Sequence, residues 1–155
     1  MSQKISLRDI QANDLLIFFD HQADPAASQM AAFQSRSRDA FMAHWVKILK
    51  DKTIFKQAIL CDGRAAGNIV CYEMHEKREV GYWVGKEYWG KGVATQALAL
   101  FLKTVQIRPL YAYTTKHNIG SFRVLQKCGF KVIGEASQPA SAGSPPIPEF
   151  ILMLG

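Results

Sequence analysis

Ala94, Ala97, Leu98, Phe101, Leu102 and Val105 recur at helical spacing until Pro109, which cannot continue a helix. The periodicity predicts a helix from Val93 to Gln106, and what precedes it narrows the fold further. A run of strand-forming residues, Glu79 to Val84, passes through Gly85-Lys86-Glu87-Tyr88-Trp89-Gly90-Lys91-Gly92 directly into the first helical turn. Gly90 and Gly92 can present backbone N–H groups with no Cβ in the way. The helix N-terminus adds partial positive charge, so the turn suits an anion, and a diphosphate fits the need.

Two other readings compete for the same turn. Gly85 to Lys91 matches the first seven positions of a P-loop, but the eighth should be Ser or Thr to hold magnesium and here is Gly92. Trp89 would also crowd a tight phosphate cradle. The plainer reading is a glycine-bearing turn that merely joins a strand to a helix.

Around this unit the pattern alternates. Ile5 to Leu7 opens as a strand, and Asn13 stands where an N-cap would start a helical turn or two over Asp14 to Phe19. Asp20 to Ser35, with Pro25, reads as a loop or short helix. Phe41, Trp45, Ile48 and Leu49 fall on one face of a helix beginning at Ser37. Ile54 to Cys61 and Asn68 to Met74 flank Asp62-Gly63, a pair that tolerates positive φ and favours a hairpin. Beyond Pro109, Leu110 to Thr115 reads as a strand, Ser121 to Cys128 as a helix closed by Gly129, and Phe130 to Gly134 as a strand. Ala136 to Pro148 turns to Ser, Ala, Gly and Pro, a surface loop, before a last strand from Phe150 to Leu154. This order fits one domain over residues 1–155: an α/β fold with a mixed, mostly antiparallel sheet and helices on both faces.

Nineteen basic against thirteen acidic residues give a net charge of +6, which draws anions such as a phosphorylated cofactor. The basic residues are scattered, with no basic stripe interleaved with aromatics, so a nucleic-acid partner is not expected. No stretch approaches the length of a membrane span, and Met1 to Ile5 lacks a signal-peptide core. Cys61, Cys71 and Cys128 form no CxxC pair and His21, His44, His75 and His117 no metal-ligand pair, so reduced thiols, no metal and a cytoplasmic location are expected.

The stretch from Glu79 to Thr95 resembles the coenzyme A signature of the GNAT superfamily of N-acetyltransferases, written Gln/Arg-x-x-Gly-x-Gly/Ala, with Gly92 and Ala94 at its small positions. Trp89 replaces the usual Gln or Arg, as in the branch resembling ribosomal-protein N-terminal acetyltransferases, where Tyr-Trp-Gly-Lys-Gly is common. A second signature follows in register: Asn118-x-x-Ser121-x-x-x-Leu125-x-Lys127-x-Gly129-Phe130. The resemblance implies acetyl-CoA as cosubstrate and an amine as acceptor, in a monomer or homodimer. It implies that the backbone of Trp83 and Val84 runs along the pantetheine arm, in a strand that splays from its neighbour. Trp89, Gly90, Lys91, Gly92, Val93, Ala94 and Thr95 would surround the pyrophosphate, and Asn118 and Ser121 would line the arm near the thioester.

Attack of an amine on a thioester needs a proton acceptor and help for the departing thiolate. Glu79, ten residues before Trp89, stands at the spacing of the histone-type GNAT glutamate and is the candidate base; Glu73 is a second. Either is equally readable as a solvated charge. Many GNAT enzymes place a tyrosine acid where this chain has Leu125, which cannot donate, so Ser121 is the candidate in its place. His117 stands near the expected cleft, where it could touch substrate. Cys128 reads as a buried thiol rather than a nucleophile. The regions Asp20 to Ser35 and Ala136 to Pro148 hold no carboxylate cluster that would announce a polycationic acceptor. The branch resemblance implies a protein N-terminal amine, with a small-molecule amine close behind. Loss of the tyrosine acid keeps a second possibility open, a catalytically weak acyl-CoA sensor.

Overall fold

The computed structural model describes residues 3–30, 36–138, 143 and 145–155. Seven strands form one sheet in the order β1-β2-β3-β4-β5-β7-β6: β1 (Ile5–Arg8), β2 (Phe55–Cys61), β3 (Arg64–Met74), β4 (Lys77–Val84), β5 (Leu110–Thr115), β6 (Lys131–Gln138) and β7 (Ile147–Leu154). Every neighbouring pair is antiparallel except β4 and β5, which run parallel and meet at a single pair, Glu79 opposite Tyr111. Past that pair the two strands diverge, which is the splay implied by the family resemblance.

Helices cover both faces because strand residues alternate sides. Ile69, Cys71, Val80 and Val84 pack with Ala97, Leu98 and Phe101 of α4 (Val93–Thr104) and Leu125 of α5 (Ile119–Lys127). Ala58 and Val70 face the other way, toward Leu15 and Phe18 of α1 (Asp14–Ala23) and Phe41 and Trp45 of α3 (Arg38–Lys50). Phe18, Leu98 and Phe101 are fully buried, and each such side chain contributes about 1.5–3 kcal/mol.

Two hairpins position β4. The first turns on Asp62 (φ 52°) and Gly63 (φ 82°), as the Asp-Gly pair predicts. The second turns on His75 (φ 51°) and Glu76 (φ 67°), so β4 begins at Lys77, two residues before the expected Glu79. At Gly67 a Cβ would fall 2.1 Å from the Trp83 carbonyl oxygen, so only glycine lets β3 lie this close to the end of β4.

Several expectations are corrected. Asn13 makes no side-chain cap; the Asp14 carboxylate instead accepts from the Gln11 N–H at 2.8 Å and pairs with Arg8 at 2.6 and 2.9 Å. α1 runs on to Ala23; of the two readings of the next region, loop or short helix, the structure shows a short helix, α2 (Pro25–Met30), and residues 31–35 lie outside the described ones. β6 continues to Gln138 after a register shift at Val132/Gly134, and β7 starts at Ile147. The expected loop between them is therefore shorter, and 139–142 and 144 lie outside the described residues. α5 ends as Gly129 predicts: at φ 96°, with the Phe130 N–H on the Leu125 carbonyl and the Gly129 N–H on that of Gln126. Among the described residues, no helix is long and apolar enough to cross a membrane.

Candidate active site

α4 begins at Gly92, whose φ of 76° is left-handed, and Gly90 has φ 75°. No side chain caps the helix, so its first N–H groups remain available to an anion. The Trp89 indole N–H donates to the Val84 carbonyl at 2.9 Å, folding the turn back on the end of β4. Trp89 thus closes the turn through its own side chain.

Beside this turn a cavity of about 410 Å³ opens where β4 and β5 separate. Trp83 and Val84 form one wall, and Trp89, Gly90 and Gly92 form the end near α4. Val93, Ala94 and Thr95 continue that end into the helix, and Asn118 and Ser121 form the opposite wall. The structure therefore brings most of the expected cofactor residues around one space. The uncapped turn at its end suits a diphosphate, and a volume of this size suits a bound organic ligand.

Two expected residues are not in its wall. Lys91 is exposed, and its carbonyl accepts from the Gln3 side-chain amide. Glu79 lies on the opposite face of the sheet. Tyr72 is its partner across β3–β4 and Tyr111 across β4–β5, and directly paired residues point to the same side. Four residues along β5 from Tyr111, Thr115 pairs with Glu149, so this second carboxylate shares the face. Burial raises the pKa of both Glu79 and Glu149, and their mutual repulsion adds to the rise at Glu79. Burial likewise pushes Tyr72 up to about 12. The Lys77 ammonium stands 5.0 Å from the centre of the Tyr111 ring, so this face already holds one amine cation against an aromatic surface. Glu73, the second base candidate, is exposed and pairs with Arg78 across β3–β4.

On the cavity side, the Asn118 side-chain oxygen accepts from the Ser121 N–H at 3.2 Å and caps α5. The Ser121 hydroxyl stands 2.9 Å from that of Tyr82, which also donates to the Ser121 carbonyl at 3.2 Å. Burial pushes the Tyr82 phenol up to about 12, so it stays neutral. Sequence reasoning missed Tyr82, although period-two alternation puts it on the same face as Val84. It also missed Arg123 and Lys127, which line the cavity with Gly120 and Val124. Those four fall at i, i+3, i+4 and i+7 of α5, a helical stripe readable in advance.

Other candidates have structural duties. The His117 ring contacts the Gln29 carbonyl at 3.1 Å and the Thr115 hydroxyl donates to that of Met30 at 3.4 Å, which pins α2 against the cavity that its Ala27 and Met30 line. The Cys128 thiol donates to the Thr95 carbonyl at 3.6 Å, and burial keeps it protonated. Leu125 is fully buried.

The family model for the acetyltransferase (GNAT) domain matches residues 4–131. The chain belongs to the GNAT acetyltransferase family. It is an acetyl-CoA dependent N-acetyltransferase. Spermidine N(1)-acetyltransferase of Escherichia coli K12 is 30% identical over 146 residues, which are 86% of this chain and 76% of that protein. Two solved structures share the GNAT fold at 16% identity and a TM-score of 0.82. One is a GNAT-family acetyltransferase from Bacillus anthracis, matched over 99% of this chain and 96% of that one. The other is spermidine N-acetyltransferase from Vibrio cholerae in complex with CoA and spermine, matched over 97% and 94%.

Proposed function

We propose that this GNAT enzyme acetylates a primary amine of a small polycation of the polyamine class, by direct attack on acetyl-CoA in a ternary complex. The observation that carries the acceptor is that Glu79 and Glu149 share one face of the sheet, with Tyr72 and Tyr111 beside Glu79. Two half-buried carboxylates without a salt-bridge partner among the described residues suit an acceptor that brings two or more charges of its own. The spermidine acetyltransferase relative supports the same class.

Acetyl-CoA enters from the α4–α5 face. The turn from Trp89 to Thr95 holds the pyrophosphate on backbone N–H groups, with Lys91 at its exposed rim. The backbone of Trp83 and Val84 runs along the pantetheine, and Asn118 and Ser121 flank the thioester. The acceptor approaches from the α1–α3 face. The acceptor amine gives its ammonium proton to water and attacks as the neutral amine; as its nitrogen bonds to the acetyl carbon, Glu79, whose burial raises its proton affinity, takes the proton that the nitrogen then loses. The C–S bond breaks, and sulfur leaves with the electron pair.

A second reading, a protein N-terminal amine as acceptor, rests on the Tyr88-Trp89-Gly90-Lys91-Gly92 sequence. Thiol release from acetyl-CoA, measured with spermidine, spermine, a monoamine and a peptide with a free N-terminus, separates the two. A kcat/KM for the polyamines at least tenfold above that for the peptide is expected. The reverse order would assign the acceptor to the second reading, and no turnover with any amine would leave a sensor.

A further inference from the structure

Tyr82 crosses the opening of the split. Its backbone belongs to β4, its ring packs on the α4 side of the sheet, and its hydroxyl ends 2.9 Å from that of Ser121, at the start of the helix that follows β5. The contact thus ties together the two elements that the diverging strands leave apart, and both residues line the cavity. Glu79 lies three residues earlier on the same strand but on the opposite face. The base and this hydroxyl pair therefore flank the gap from its two sides, one facing the amine and the other facing the donor.

We propose that Tyr82 is a positioning residue for the leaving group, holding the Ser121 hydroxyl so that it donates a hydrogen bond to the departing thiolate; this rests on the transfer reaction described above. The pair stands in for the acid that α5 lacks, since Leu125 is hydrocarbon and fully buried. While the thioester is intact, the Ser121 O–H can donate to Tyr82, and the Tyr82 O–H to the Ser121 carbonyl at 3.2 Å. As the C–S bond breaks and its electron pair collects on sulfur, the Ser121 O–H turns toward the sulfur and the Tyr82 O–H turns to the Ser121 oxygen. Two hydrogens rotate and no heavy atom moves, so the donors are preorganised for the charge that develops. The thiolate leaves as such and takes its proton from water after release. The neutrality of the buried phenol keeps it a donor throughout.

Tyr82→Phe removes only the hydroxyl and keeps the ring in its packing. It is expected to lower kcat by roughly 10- to 100-fold, while the dissociation constant for acetyl-CoA, read by calorimetry, changes less than about threefold. Ser121→Ala gives a loss of the same size, and the double variant is no worse than either single one, because the two hydroxyls act as a unit. Ser121→Thr, which keeps a hydroxyl, restores most of the rate when Tyr82 is present and none when it is Phe. A Tyr82→Phe enzyme with more than half the parent kcat overturns the proposal, as do multiplicative losses in the double variant. Should Tyr82→Phe not fold, Ser121→Ala at the parent rate overturns it equally. If the parent itself shows no turnover, the transfer reading fails instead, which is a separate result.

Discussion

Glu79, the base of the proposed reaction, would serve chemistry at a cost to stability. Its carboxyl is half-buried next to Tyr72, with a second carboxylate on the same face, and burial raises its pKa. A raised pKa means that the ionised form is disfavoured in the fold, so Glu79 is least costly at low pH and most costly once pH exceeds its raised value. As the proposed base, Glu79 works only when ionised, so kcat/KM should rise with pH along a limb lying above the usual glutamate value of about 4.3. Glu79→Gln is expected to lose roughly 100-fold or more in kcat and the limb with it, while its thermal midpoint at neutral pH is unchanged or higher. A variant that keeps the parent pH profile would remove Glu79 from the role of base. Gly92 is constrained by conformation rather than space. Its φ of 76° is left-handed, and the nearest atom to an added Cβ is the Gln96 side-chain nitrogen at 3.7 Å. Gly92→Glu combines backbone strain with a negative charge at an anion site and is expected to abolish acetyl-CoA binding by calorimetry; parent-like affinity would move the pyrophosphate elsewhere.

At the scale of elements, the two hairpins show what local sequence does and does not announce. Asp62-Gly63 signals its turn because both residues tolerate positive φ, and the structure turns there. His75-Glu76 adopts the same left-handed pair with residues that gain nothing locally, so the turn is not legible in the sequence and β4 begins two residues before the expected Glu79. Tertiary pairing along the whole of β3 and β4 holds it. His75→Asn with Glu76→Gly should therefore stabilise the chain by about 1 kcal/mol, seen as a higher urea midpoint with an unchanged slope; a lower midpoint would show that His75 or Glu76 makes a contact worth more than the strain. Helix α4 is legible because its apolar stripe repeats without a break at helical spacing from Ala94 to Val105. α1 was read short at Phe19 because Asp20, His21 and Gln22 break the apolar pattern, yet His21 and Gln22 are buried. Gln22 is held there by the backbone of Arg36, with its side-chain oxygen accepting at 3.0 Å, a partner fourteen residues away.

For the molecule as a whole, the order of strands and helices was readable and the acceptor face was not. The proposed donor side is built largely from consecutive residues, Trp83 to Thr95, and a second run beginning at Asn118, so motif spacing points to it. The proposed acceptor face joins Glu79 to Glu149 through the register of β4, β5 and β7, residues far apart in the chain that no local window contains. The two loop regions hold no carboxylate cluster, because these carboxylates stand on strands. The parallel β4–β5 contact is reduced to one pair, and the proposed reaction takes place at the gap beside it. In the proposed reaction donor and acceptor are bound together on opposite sides of one gap, which needs no acetylated enzyme. Initial velocities measured over a grid of acetyl-CoA and spermidine concentrations test this arrangement directly. Direct attack requires double-reciprocal lines that intersect, with no acetyl group on the protein by mass spectrometry when amine is withheld; parallel lines with an acetylated side chain would contradict it.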